Sequence, residues 1–193
     1  MATIVTILSE GYADWETALL NAVARSYYGV ETRYATPGGS AVTSAGGLRV
    51  APQFAIEALD PKEFDALVVN GGTAWAGPEA PQIGALLAAT ARAGKVLAAI
   101  CDGTRSLAAA GLLDEVAHTS NASETLAVTG YNGASCYQNQ PAAVRDGLIV
   151  TAAGTAPVSF MAEVLGALGL RDANLEFYLR LLAAEQRSLP VAA

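Results

Sequence analysis

Short apolar runs alternate with longer amphipathic stretches along this 193-residue chain. Residues 4–8, 30–35, 67–69, 96–100 and 148–151 are brief, mostly apolar or β-branched runs, which predicts strands. Between them, helical periodicity predicts helices over 14–26, 79–93, 104–111 and 157–168. A last helix over 172–187 sets Leu175, Tyr178, Leu179 and Leu182 on one stripe, which packs on the body or on a partner subunit. Strand-helix alternation of this kind predicts an α/β domain, a three-layer sandwich with a mostly parallel sheet and helices on both faces. The pairs Gly38-Gly39 and Gly46-Gly47 bracket a hairpin or crossover excursion. No repeat, low-complexity tract or linker divides residues 1–193, so a single domain is expected.

The richest segment is VLAAICDGTR, residues 96–105. An apolar run drives into Cys101, Gly103 follows, and a helix-prone stretch begins at Thr104. Strand, nucleophile, small residue, helix is the pattern of a nucleophile elbow, a sharp turn that lifts a side chain toward solvent. The helix start behind the thiol offers unpaired N–H groups and a positive dipole end, favourable to a thiolate and to a developing oxyanion. Cys136 has no such context and reads as structural.

Composition narrows the field. Hydrophobic residues make up 52% and charged residues 15%, the balance of a folded globular chain. The net charge is −7, with two lysines and nine scattered arginines, so no basic stripe is available to follow nucleic acid. The opening MATIVTILSEG lacks a basic n-region and reads as a first strand rather than a signal peptide. No stretch reaches the ~18 uninterrupted apolar residues of a membrane span. Two cysteines are too few for a disulfide framework, in keeping with a cytoplasmic location.

In open α/β sheets, functional groups gather beyond the carboxyl ends of the strands. GYADWE at 11–16 brings Tyr12, Asp14 and Glu16 there, NGGTAW at 70–75 brings Gly71, Gly72 and Trp75, and AAGTAP at 152–157 brings Thr155. Asp14 reads as a helix N-cap, and Thr155 as a cap with Pro157 in the first turn. Tyr12 and Trp75 are candidate pocket walls. The polar, aromatic segment 131–140 is a candidate rim or dimer contact.

These residues resemble the ThiJ/PfpI superfamily, of class I glutamine amidotransferase-like, flavodoxin-like fold. The likeness runs over about residues 3–168 and is carried by GYADWE (11–16), VVNGG (68–72), AAICDG (98–103), AGLLDEVAHTSN (110–121) and DGLIVTAAGTAP (146–157). It implies that Glu16 sits against Cys101, that Gly72 and Asp102 donate backbone N–H groups to an oxyanion, and that the protein is a homodimer needing neither metal nor organic cofactor. The chain also departs from the pattern. Protease-like members carry His directly after the cysteine, where this chain has Asp102. Other members have His about twenty residues later, where this chain has Asn121. The single histidine, His118, falls on a predicted strand over 115–119 whose alternation turns it away from Asn121.

What remains is a Cys101–Glu16 dyad. A protonated Glu16 would donate to a thiolate and lower its pKa, so a mainly protonated Glu16 and a partly ionised Cys101 are expected near neutral pH. Asp102 opposes that ionisation unless Arg105, one turn on, draws it away. Three functions fit. The first is a cysteine-dependent hydratase, hydrolase or lyase acting on a small electrophile, as in the isonitrile hydratase-like and glyoxalase-like branches. The second is a redox or stress sensor oxidised at Cys101. The third is an amidase- or protease-like member with a degenerate triad, reduced to an interaction module.

Overall fold

The computed structural model describes residues 1–188. In chain order the elements are β1 (Thr3–Ile7), α1 (Asp14–Tyr28), β2 (Glu31–Thr36), β3 (Val42–Thr43), β4 (Arg49–Val50), β5 (Phe54–Ala55), β6 (Ala66–Val69), α2 (Gly84–Arg92), β7 (Val96–Ile100), α3 (Thr104–Ala109), α4 (Ser123–Ala127), β8 (Val144–Asp146), β9 (Ile149–Ala152), α5 (Pro157–Ala167) and α6 (Ala173–Ser188). The main sheet runs β5-β2-β1-β6-β7-β9-β8. Every neighbouring pair is parallel except β8–β9.

The apolar runs become strands buried on both faces: every residue of β1, β6 and β7 is buried. Crossover helices in a parallel sheet must cover both sides, so continuous apolar runs replace the alternation of a half-exposed strand. The pleat then divides the side chains between two cores. Ile4, Val68, Ala98, Ile100 and Val150 meet Leu20 of α1 and Phe160 and Val164 of α5. Val5, Ile7, Leu67, Val69, Leu97 and Ala99 meet Leu87, Leu107 and Leu126 from α2, α3 and α4. This is the three-layer sandwich that the alternation predicts. Gly29 ends α1 in the left-handed region (φ 64°), its N–H returning to the Ala24 carbonyl.

The predicted stripe of α6 packs as expected: Leu175 is buried, and Tyr178, Leu179 and Leu182 lie against the first core. The Tyr28 hydroxyl donates to Asp172 Oδ1 at 2.8 Å and ties the approach to α6 onto α1. The glycine-bracketed excursion is a hairpin, with Val42 opposite Val50 and Thr43 opposite Arg49.

Two predicted elements change. The helix over 79–93 begins only at Gly84, because Pro78 and Pro81 interrupt the segment before it. The strand over 115–119 is not formed. A single bridge joins His118 to Tyr137, and Ala117 N–H is taken by the Asp146 carboxylate, so no ladder propagates. Among the described residues no helix is long and apolar enough to cross a membrane.

Candidate active site

Parallel order sends the carboxyl ends of β1, β6, β7 and β9 to one edge, and their following loops meet there. Cys101 leaves β7 with φ 57°, the one non-glycine residue in the left-handed region among those described. A side chain in that conformation costs about 1–2 kcal/mol, which the surrounding packing must hold in place. Gly103 makes the turn possible: a Cβ there would stand 2.8 Å from the Val69 carbonyl and 3.0 Å from that of Asn70. The elbow predicted from VLAAICDGTR is therefore present in the backbone.

Glu16 arrives from the first turn of α1. Its side chain is fully buried, and Oε2 accepts the Gly71 N–H at 2.7 Å. The second oxygen, Oε1, has no conventional hydrogen-bond partner and faces the thiol region. Gly154 closes that space, since a Cβ on it would lie 2.9 Å from Glu16 Oε1 and 3.1 Å from Cys101 Sγ. Carboxylate and thiol thus share one small compartment floored by glycine. Asn121 completes it, donating from Nδ2 to Cys101 Sγ at 3.1 Å and accepting the Gly154 N–H on Oδ1 at 2.9 Å.

The electrostatics correct one expectation. Burial holds the Glu16 carboxyl above its ordinary range, opposed by its contacts with the thiol and the Gly71 N–H. Burial also pushes the Cys101 thiol up to about 11. Asn121 and the Asp102 N–H pull it down, while Glu16 adds to the rise through hydrogen bonding and charge. The resting thiol is therefore protonated rather than partly ionised. A half-buried sulfur beside a buried carboxylate gains more from keeping the proton than the elbow's donors return.

The remaining candidates fall in several places. The Asp102 N–H faces the sulfur. Among the described residues Asp102 and Arg105 form no ion pair. Arg105 instead lines a separate cavity of about 240 Å³ with Trp75. Trp75 is buried in the second core and donates to the Asn70 carbonyl at 2.8 Å, so it backs the loop rather than walling the thiol. Gly72 sits at φ 147° with no room for a Cβ against the Gly11 carbonyl and Tyr12 Cα, both at 3.0 Å. Tyr12 is buried with Leu8 and Val42.

Asp14 is not the N-cap, a position held by Ala13 without a side-chain bond. Its carboxylate accepts the Gly46 N–H at 2.8 Å and pins the β3–β4 hairpin to the start of α1. Thr155 is exposed and caps nothing; Ala156 precedes Pro157, which does occupy the first turn.

His118 is fully buried, its ring nitrogens bonded to the Val116 carbonyl (2.8 Å) and the Tyr131 hydroxyl (3.2 Å). Tyr131 and Tyr137 pack edge-on against it, which absorbs much of the aromatic 131–140 segment into the fold. Sequence reasoning missed Gly154 and Trp15. The Trp15 indole donates to the Gly154 carbonyl at 3.1 Å from the other side of the chain, and only its place beside Glu16 in GYADWE hinted at a role.

Comparison with known proteins agrees with this fold. A model of the DJ-1/PfpI family matches residues 2–167. Over 126 residues, or 64% of this chain and 60% of the relative, the sequence is 32% identical to YoaZ of Bacillus subtilis, named as an uncharacterized protease. Over 45% of this chain and 47% of the relative it is 33% identical to DJR-1.2 of Caenorhabditis elegans, named as a glutathione-independent glyoxalase. This chain thus aligns with about half to three-fifths of the length of these two relatives. The crystal structure of the DJ-1 superfamily protein Atu0886 from Agrobacterium tumefaciens superposes with a TM-score of 0.94 at 45% identity, covering 96% of this chain and 100% of that one.

Proposed function

Since this chain belongs to the DJ-1/PfpI family, we propose that it is a cysteine-dependent enzyme acting on a small electrophile, of hydratase, hydrolase or lyase type, with Cys101 as nucleophile and Glu16 as proton carrier. The observation that carries this reading is the thiol at φ 57° sharing a compartment with the second oxygen of a fully buried carboxylate.

The raised pKa values suit such a pair. As sulfur approaches an electrophilic carbon, its proton passes to Glu16 Oε1, whose burial makes it a stronger base than a solvated carboxylate. On a 2-oxoaldehyde the C–S bond forms, the carbonyl π pair moves to oxygen, and a hemithioacetal oxyanion results. The N–H groups of Gly72 and Asp102 are the donors assigned to that oxyanion. On an isonitrile, sulfur adds to the terminal carbon and Glu16 returns the proton to the same carbon. Water then converts the thioimidate to a formamide and frees the thiol. Neither path expels an amine. Peptide hydrolysis does, and His118, the single histidine, is committed to Val116 and Tyr131.

A protonated resting thiol supports enzyme over redox sensor. Oxidation by a peroxide draws on standing thiolate, whereas attack on a bound electrophile needs it only as Glu16 takes the proton. The test is turnover of a panel of 2-oxoaldehydes and isonitriles by wild type and Cys101→Ala. Turnover of at least one compound, abolished in the variant, is expected. Equal turnover by both proteins, or casein cleavage lost in Cys101→Ala, overturns the reading.

A further inference from the structure

Asn121 and Trp15 meet on opposite ends of one peptide. The Gly154 N–H is donated to Asn121 Oδ1 at 2.9 Å, and the Gly154 carbonyl accepts from Trp15 Nε1 at 3.1 Å. The first bond settles the orientation of the amide. A backbone N–H can only donate, so Oδ1 must face it, and the NH₂ group is left pointing at Cys101 Sγ, 3.1 Å away. Gly154 in turn has little room to move into the site, because the point where a Cβ on it would sit is only 2.9 Å from Glu16 Oε1 and 3.1 Å from the sulfur. Trp15 and Glu16 are neighbours at the start of α1: Glu16 lies beneath Gly154 fully buried, while Trp15, 57% exposed, holds it from outside.

We propose that Asn121 is a fixed, non-titrating hydrogen-bond donor to the Cys101 sulfur during attack, and that Trp15 is a positioning residue that aims it through the Gly154 peptide. The inference rests on the assignment of Cys101 as nucleophile and adds what steadies the charge on its sulfur. An amide donates without titrating, so it stabilises the thiolate without adding an ionisation of its own. The titratable groups around the sulfur are then Glu16 from α1 and Asp102 from its own turn; His118 is turned away toward Val116 and Tyr131. Neither Asn121 nor His118 then supplies an acid for a departing amine, which suits the site to electrophiles that accept addition.

The experiment reads the thiol directly in a Cys136→Ser background, by thiolate absorbance and by the pH dependence of iodoacetamide alkylation. Asn121→Ala is expected to slow alkylation at fixed alkaline pH about tenfold, one unit of thiol pKa. Trp15→Phe, which keeps the ring and loses the N–H, shifts it the same way by a smaller factor. In the Asn121→Ala background Trp15→Phe then has no further effect, because its influence travels through the amide. Asn121→His restores a donor but adds a second ionisation to the profile.

An unchanged thiol pKa in Asn121→Ala overturns the donor role. Additive effects of the two substitutions overturn the clamp. Both positions are solvent-exposed, and circular dichroism checks that the variants fold. Because alkylation requires no turnover, these results stand apart from the electrophile panel, whose failure bears on the proposed enzyme activity.

Discussion

Replacing Glu16 by Gln removes one charge and little volume, and its effect on the thiol can be worked from the structure. Glu16 Oε1 and Cys101 Sγ lie 2.9 and 3.1 Å from the point where a Cβ on Gly154 would sit. They are therefore at most about 6 Å apart, and two unit charges at that range repel by roughly 3 kcal/mol at an effective dielectric of about 20. That is worth about two pKa units, and partial exposure of the sulfur halves it to about one. The amide adds to the effect in the same direction. Its oxygen takes the Gly71 N–H that Oε2 now accepts, which leaves its NH₂ as a donor toward the sulfur. The Cys101 thiol, held at about 11 in the wild type, is thus expected to fall by about one to two units in Glu16→Gln. Ultraviolet thiolate absorbance against pH, in a Cys136→Ser background, measures it. The opposite outcome, a pKa that rises or stays put, means that Glu16 is protonated beside a thiolate and donates to it, and refutes an ionised Glu16 beside a protonated thiol. Turnover should nevertheless drop at least about a hundredfold, because the amide cannot accept the proton.

Linkage gives a companion result. A carboxyl held high in the fold contributes stability that is present in acid, below its unfolded value, and lost as pH rises through its folded one. Glu16→Gln should therefore be more stable than wild type to urea at neutral pH, with the gap closing in mild acid. The thiol follows the same sign: wild type should lose more stability than Cys101→Ala between pH 9.0 and about 11, the tyrosines held above their ordinary value contributing equally to both, as denaturation across that window will show. The left-handed conformation of Cys101 predicts that Cys101→Gly is about 1 kcal/mol more stable than Cys101→Ala in urea, an order that reversal would disprove. Gly103→Ala should destabilise by about 1–3 kcal/mol, since the added methyl meets backbone carbonyls of the β6 end that cannot rotate away. A change under about half a kcal/mol would show that the elbow has slack. His118→Leu should cost about 1–3 kcal/mol by removing its two hydrogen bonds to the half-buried Val116 carbonyl and Tyr131 hydroxyl, yet leave the Cys101 titration where it is; a moved thiol pKa would return the histidine to the site.

The chain's own pattern determined the layers and the elbow, because both are local. Uniform burial of β1, β6 and β7 is written as continuous apolar runs, and the division of Ile4 from Val5 or Ala98 from Ala99 between two cores follows from the pleat. The turn at Cys101 is encoded within ten residues by an apolar run, a small residue and a helix former. Tertiary structure decided which groups reach the sulfur and in what charge state. Glu16 and Gly71 are 55 positions apart, Asn121 and Gly154 33, and Trp15 and Gly154 139. Their meeting depends on strand order and on loops closing around glycines, which no local pattern carries. Asp14, the expected cap, went to the hairpin because Gly46 N–H was brought within 2.8 Å. Arg105, one turn from Asp102, turned to another cavity because α3 lays that face against Trp75. The elbow around the thiol was legible from its neighbours in sequence. Its proton was not, because desolvation and a buried carboxylate act through space, and burial is a property of the whole fold.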